Sequence, residues 1–378
     1  MLSMKNPFNY LQFATGDDFY DRHEIRADLR SRFLSGQTNV VLYGPRRYGK
    51  SSLVAELMSD LEKGGLFCVS VDVMKTPSID LFVSAYVSKI YKKFAPLKFE
   101  FKRIGELLKS LRFKMTIGAD GETGFSVESA QSRIGSEALE EVLDLPYRLI
   151  PADKRAVVVF DEFQEVEDLL PNGQFERIMR SVIQRHRNIS YIFLGSRYHM
   201  LRRMFTDRNR PFYKSAIAIM LDKPPFEESL EFVVSRFESC GKTIPRQVAG
   251  LLVQKIDNIP YYIQQLGFEV FRLVDDAESP TVSFEDVETA YRRLSGFNRD
   301  QYEQLMLTFS GAQKRLLIAL ANEQTREFDD AYRMRHLLGA SSTVNSAKKI
   351  LIEYGHVERT EDKYCVADPY FARYLRGD

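Results

Sequence analysis

Gly44-Pro45-Arg46-Arg47-Tyr48-Gly49-Lys50-Ser51-Ser52 is the stretch on which the reading of this chain turns. It has the G-x-x-x-x-G-K-[ST] spacing of a phosphate-binding loop. The run before it, Asn39-Val40-Val41-Leu42-Tyr43, is short and apolar and predicts a buried strand. After it, Leu53, Val54, Leu57 and Met58 recur at helical spacing. Strand, glycine-rich turn and helix in that order aim loop N–H groups and a helix N-terminus at one anion. Gly44 and Gly49 let the backbone turn sharply and approach phosphate oxygens without a Cβ in the way. Lys50 is the cation for the β- and γ-phosphates, and the Ser51 hydroxyl the ligand for Mg²⁺. Pro45, Arg46, Arg47, Tyr48 and Ser52 complete the candidate binding loop.

At 378 residues the chain has room for two or three domains, and its 44% apolar and 28% charged content is that of a globular protein. A formal net charge of +1 supplies no global field for nucleic acid or a membrane surface. Three scattered cysteines, Cys68, Cys240 and Cys365, indicate neither a disulfide framework nor a metal cluster. No apolar run is long enough to span a membrane, and Met1-Leu2-Ser3-Met4-Lys5 has no signal-peptide character, so a cytoplasmic location is expected.

Working outward, residues 28–34 predict a helix ahead of the first strand. The aromatics Phe8, Tyr10, Phe13, Phe19 and Tyr20 are placed either over an adenine or over the sheet edge. Lys63-Gly64-Gly65 closes the helix after the loop. A second strand, Leu66 to Val73, and a helix from Pro77 to Phe94 follow, which implies a parallel sheet. Residues 97–135 interrupt this rhythm. There Phe113–Ile117 and Gly124–Glu128 alternate on either side of a glycine-containing loop and predict a β-hairpin.

Ala156-Val157-Val158-Val159-Phe160 is a third buried strand, closed by Asp161-Glu162. An apolar strand ending in paired acids, downstream of a phosphate loop, is the Walker B arrangement. Asp161 is the second candidate for Mg²⁺ and Glu162 the candidate base for an attacking water. A fourth strand, Ser190 to Gly195, ends in Ser196-Arg197, a polar pair directed at the crevice outside the strand ends, where Arg197 is placed to sense a γ-phosphate. Arg202, Arg203, Arg208 and Arg210 follow, and Ser215 to Met220 is a fifth strand. Leu221-Asp222-Lys223-Pro224-Pro225 breaks the pattern. Beyond it come amphipathic helices to about Leu294, with a turn at Asn258-Ile259-Pro260. Helices at 312–321, 331–338 and 343–354 and a short hairpin, 356–359 with 363–366, spell a winged helix-turn-helix. Lys348 and Lys349 are the cations on its reading helix, while Glu358, Glu361 and Asp362 lie on the wing, a poor electrostatic footprint for DNA.

The loop, the segment Val159-Phe160-Asp161-Glu162-Phe163-Gln164, the turn Leu194-Gly195-Ser196-Arg197 and the tail Val366-Ala367-Asp368-Pro369-Tyr370-Phe371 together resemble the archaeal-type ATPases of the STAND group, relatives of AAA+ proteins. The resemblance implies an α/β P-loop NTPase fold with a parallel sheet of order 5-1-4-3-2 flanked by helices, then an all-helical lid and a winged helix. It divides the chain into 1–222, with the hairpin insertion at about 97–135, then 223–305 and 306–378. It further implies ATP and Mg²⁺ as ligands and Pro260 against the base or the phosphates. Two departures stand out. The family's Gly-Arg pair is replaced by Pro211-Phe212-Tyr213-Lys214-Ser215, leaving Arg208, Arg210 or Lys214 to substitute. Its Gly-x-Pro lid turn reads Asn258-Ile259-Pro260. The expected function is a slow ATPase switch controlling a protein partner or self-assembly. The alternative is a DNA-binding regulator or helper ATPase for replication or transposition that uses the winged helix.

Overall fold

The structure is a computed structural model and describes residues 5–20, 22–94, 112–117, 123–128, 134–360 and 362–377. The chain forms two compact units. One holds residues 24–44 and 53–221, the other residues 1–23, 45–52 and 222–378.

The first unit is built on a parallel sheet of β1 (Asn39–Tyr43), β2 (Phe67–Asp72), β5 (Ala156–Asp161), β6 (Ile189–Gly195) and β7 (Ile217–Met220), ordered β2-β5-β6-β1-β7. Numbering these strands one to five along the chain gives 5-1-4-3-2, the expected order. Parallel neighbours require crossovers, supplied by α2 (Lys50–Lys63), α3 (Ile79–Phe94), α4 (Ser136–Leu149), α6 (Gln174–Ile183) and α7 (Tyr198–Thr206). Helices α1 (His23–Ser35) and α5 (Val166–Leu169) complete the unit. Central strands covered on both faces lose the polar alternation of a one-sided sheet, and β6 is buried at every position. On α6, Phe175, Ile178, Met179 and Val182 repeat at i, i+3, i+4 and i+7 and are buried. Phe160, Phe163, Phe193, Phe205 and Phe212 form one aromatic cluster in the core. Antiparallel β3 (Arg112–Ile117) and β4 (Thr123–Glu128) form the expected hairpin, whose connecting residues lie outside the described ones.

The second unit is mostly helical. α8 (Phe226–Glu238), α9 (Arg246–Lys255), α10 (Pro260–Asp276), α11 (Phe284–Phe297) and α12 (Arg299–Thr308) precede α13 (Gly311–Asn322), α14 (Asp330–Arg335) and α15 (Ser341–Glu353). The hairpin β8 (Val357–Thr360) with β9 (Lys363–Val366) and a last helix, α16 (Pro369–Arg376), complete a winged helix. Local sequence fixes the entries. Ser283 with Asp286 and Ser310 with Gln313 form capping boxes, and Asp368 caps α16 by accepting from Tyr370 and Phe371 N–H. Of the N-terminal aromatics, Phe8, Tyr10 and Tyr20 pack within this unit and not on the sheet edge. Phe8 packs on Phe232 and Phe237, Tyr20 stacks on Phe232, and Tyr10 meets Tyr261 and Phe268, whereas Phe13 is exposed. Among the described residues no helix is long and apolar enough to cross a membrane.

Candidate functional site

The loop leaves β1 at Gly44, where an added Cβ would lie 2.4 Å from the Leu221 carbonyl oxygen. It enters α2 at Lys50, after Gly49 at φ +82°, a conformation that disfavours any side chain. Lys50 is buried and its ammonium donates across the loop to the Pro45 carbonyl at 2.6 Å. Ser52 Oγ accepts from Ala14 N–H at 3.2 Å.

Two consecutive loop residues are gripped by helix α10 and the winged helix of their own unit. Arg47 has φ +70°, unfavourable for a residue with a Cβ, and is held there from several sides. Its guanidinium lies 5.1 Å and 4.8 Å from the ring centres of Tyr261 and Tyr262 and pairs with Asp368 at 3.2 Å. Its carbonyl accepts from Tyr261 N–H at 3.3 Å. Tyr48 is buried, and its hydroxyl donates to Glu358 at 2.5 Å. Thr360 Oγ1 lies 3.4 Å from the same carboxylate. Burial pushes Glu358 up to about 7, against the opposing hydrogen bond from Tyr48, and raises Asp368 against the opposing Arg47 charge. The wing therefore does not present Glu358 to solvent, as its place in a charged hairpin implied. The Pro260 position is first in α10, after Asp257 and Asn258 at φ +56° and +55°. The neighbouring Tyr261 makes the contact with the loop.

At the carboxyl edge of the sheet, β1 ends opposite Gly195, and β5 ends in Asp161 two strands away. Asp161 Oδ1 accepts from Glu162 N–H at 2.9 Å. Glu162 sits in the left-handed region, φ 50° and ψ 44°, which turns the chain at once into a short 3₁₀ segment. Its Oε2 accepts from Ser196 N–H at 3.1 Å, Ser196 Oγ at 2.9 Å and Gln164 Nε2 at 2.6 Å. The structure thus brings Glu162 and Ser196 together. Arg197 pairs with Glu165 at 3.7 Å.

The segment that replaces the Gly-Arg pair is anchored by its own contacts. Phe212 is buried in the aromatic cluster and fixes its segment. Lys214, at φ +53°, lies over the Tyr213 ring. Arg210 is engaged by Glu167 and by buried Glu176, while Arg208 is exposed. Sequence reasoning missed Asp368 and Glu358 as partners of the loop and Gln164 as a partner of Glu162. Asp368 carried a signal, an acid directly before a proline that opens a helix.

Residues 300–377 match a family model described as a probable winged helix domain. The whole chain is similar in structure to a Walker-type ATPase of Pyrococcus abyssi, with 19% identity and a TM-score of 0.68 over 98% of this chain and 99% of that one. It is also similar to the ORC2 protein of Aeropyrum pernix in its ADPNP–ADP complexes, with 14% identity and a TM-score of 0.60 over 98% and 95% of the two chains. The ORC1 protein of Aeropyrum pernix in complex with DNA follows at 14% identity and a TM-score of 0.52, over 96% and 94%. A search of curated protein sequences returns no match. At these identities the likeness is one of fold: a five-stranded parallel sheet with flanking helices, a mostly helical remainder and a winged helix.

Proposed function

We propose that this chain binds ATP with Mg²⁺ on the 44–52 loop and hydrolyses it slowly, as a switch that controls a protein partner or self-assembly. The observation that carries the reading lies at the carboxyl edge of the sheet. There Glu162 is fixed by Ser196 on the strand next to β1, and β1 runs directly into the loop. Such an edge is where open parallel sheets bind ligands. By motif, Lys50 and the loop N–H groups take the phosphates, and Ser51 and Asp161 take Mg²⁺. The metal supplies charge neutralisation on the phosphate oxygens. Glu162 accepts the proton of the attacking water, with its carboxylate oriented by Ser196. Arg197 is assigned to phosphate sensing. Residues 223–305 are read as the lid and 306–378 as the moving winged helix, in a location expected to be the cytoplasm.

The grip of the lid and winged helix on Arg47 and Tyr48 supports the switch: a ligand that repositions this loop must work against those contacts. Loss of nucleotide affinity in Lys50→Ala, with affinity kept and turnover lost in Glu162→Gln, tests the reading. A second reading, DNA binding through the winged helix, draws on the DNA complex of the Aeropyrum pernix ORC1 protein. Against it, Lys348 lies over the Phe328 and Tyr364 rings, and Arg333, Arg335 and Arg359 pair with Asp330, Glu323 and Asp362. Log affinity for duplex DNA should then vary only shallowly with log salt. Tight, steeply salt-dependent binding that disappears with Lys348→Glu/Lys349→Glu favours the DNA reading instead.

A further inference from the structure

Gln164 has no part in the reading above, yet it is one of the most constrained polar side chains in the sheet unit. It is 1% exposed, two residues beyond Glu162. Its Nε2 donates to Glu162 Oε2 at 2.6 Å and to Glu165 Oε1 at 3.1 Å. Both partners are carboxylates that only accept, so the amide is oriented with its nitrogen towards them. The other end, Oε1, is buried with no hydrogen-bond partner among the described residues. It is pressed instead against Gly195, where an added Cβ would lie 2.1 Å away. Gly195 thus leaves the notch that the amide fills, and Ser196, the next residue, supplies the other two donors to Glu162 Oε2.

A buried amide oxygen without a partner is costly, and a leucine or methionine here would avoid that cost. The side chain therefore fits its place best through what Nε2 does. Three donors converge on Glu162 Oε2, and among the described residues none donates to Oε1, which leaves that oxygen to take a proton. Glu165, paired with Arg197, holds Gln164 from its other side. Resting on the ATPase reading, we propose that Gln164 is a positioning residue for the base. It locks the Glu162 carboxylate in the one orientation that presents Oε1 to water, and Gly195 provides the space it needs.

The test is steady-state hydrolysis of Mg-ATP by the full chain, with nucleotide affinity and thermal unfolding followed in parallel. Gln164→Met keeps length and volume but cannot donate. It is expected to lower kcat about 10- to 100-fold, as a misoriented catalytic group does, while KM and Tm stay near those of the wild type. In a Glu162→Gln background the same change should alter the residual turnover less than twofold, because the group it orients is already gone. Gln164→Leu serves as the second variant if Gln164→Met folds poorly. A kcat within twofold of wild type in a folded variant, or an equal fractional loss in both backgrounds, overturns the proposal and leaves the ATPase reading intact. Absence of Mg-ATP binding and turnover in the wild type overturns both.

Discussion

Tyr48, in the middle of the loop between β1 and α2, donates its hydroxyl to Glu358 of the wing at 2.5 Å, across 310 residues of sequence. Both side chains are buried, at 1% and 5% exposure, so neither exchanges this partner for solvent. Tyr48→Phe should cost about 1–3 kcal/mol, because it leaves a buried carboxyl group short of a donor. The double variant Tyr48→Phe/Glu358→Leu should recover part of that loss. Equal and additive losses in a denaturant double-mutant cycle would show that the two residues do not depend on each other.

The same carboxyl group gives this unit a pH dependence. Burial raises Glu358 to about 7 when folded, above its ordinary value of about 4.3 when unfolded. A raised carboxyl pKa stabilises fully below the unfolded value, and that contribution is lost as pH rises through about 7. Tyr48, Thr360, Lys223, Asp257 and Cys365 act on the group from the surrounding elements. Glu358→Gln is neutral throughout. Relative to it, the wild type should lose on the order of 3 kcal/mol between pH 4.5 and pH 8. Denaturant midpoints of the two proteins that run parallel over this range would refute the assignment.

Asp368 serves twice, as the N-cap of α16 and as the partner of Arg47, and the roles can be separated. Asp368→Asn keeps the cap and loses the charge, so stability should fall by less than about 1 kcal/mol. Asp368→Ala loses both and should cost about 1–2 kcal/mol more. If Arg47 holds the loop in place, nucleotide affinity should respond to Asp368→Asn and Arg47→Ala alike. A response to only one of them, measured by nucleotide titration, contradicts a shared role.

The stretches legible in sequence were those whose partners are local or repeated. β1, β5 and β6 read as apolar runs, the loop as fixed spacing, and the wing as two alternating segments around a turn. Helices α4 and α6 are preceded only by Gly135 and Gly173, with no side-chain cap, although α6 carries a clear amphipathic period. Glu358 lies in a charged hairpin, and nothing near it in sequence indicates that its strand faces Tyr48. Gln164 looked like a polar residue after an acid pair. Its meaning depends on a notch at Gly195, on a strand that arrives later in the chain. Arg210 stands in a run of arginines that sequence cannot tell apart, yet it alone among Arg203, Arg208 and Arg210 closes onto Glu167 and Glu176.

That last contact divides the two arginines considered for completing the site. Arg210→Ala should destabilise the sheet unit by about 1–3 kcal/mol, since it leaves the buried Glu176 carboxyl, which burial already raises to about 7, without its partner. Arg208 is exposed and should cost within about 0.5 kcal/mol when replaced by alanine. If hydrolysis is completed by a second copy, turnover per chain should rise with protein concentration, and Arg208→Ala should flatten the rise at unchanged Tm. An arginine supplied in this way is worth roughly 10³–10⁵ in rate. Fast turnover independent of concentration would place the whole site within one chain.

Whether the 44–52 loop binds nucleotide is decided by calorimetric titration of Mg-ATP into the wild type and Lys50→Ala. One site is expected in the wild type, weakened on the order of a hundredfold in Lys50→Ala because the loop loses its buried cation at the phosphates. Equal heats in the two proteins, or no binding in the wild type, would contradict it.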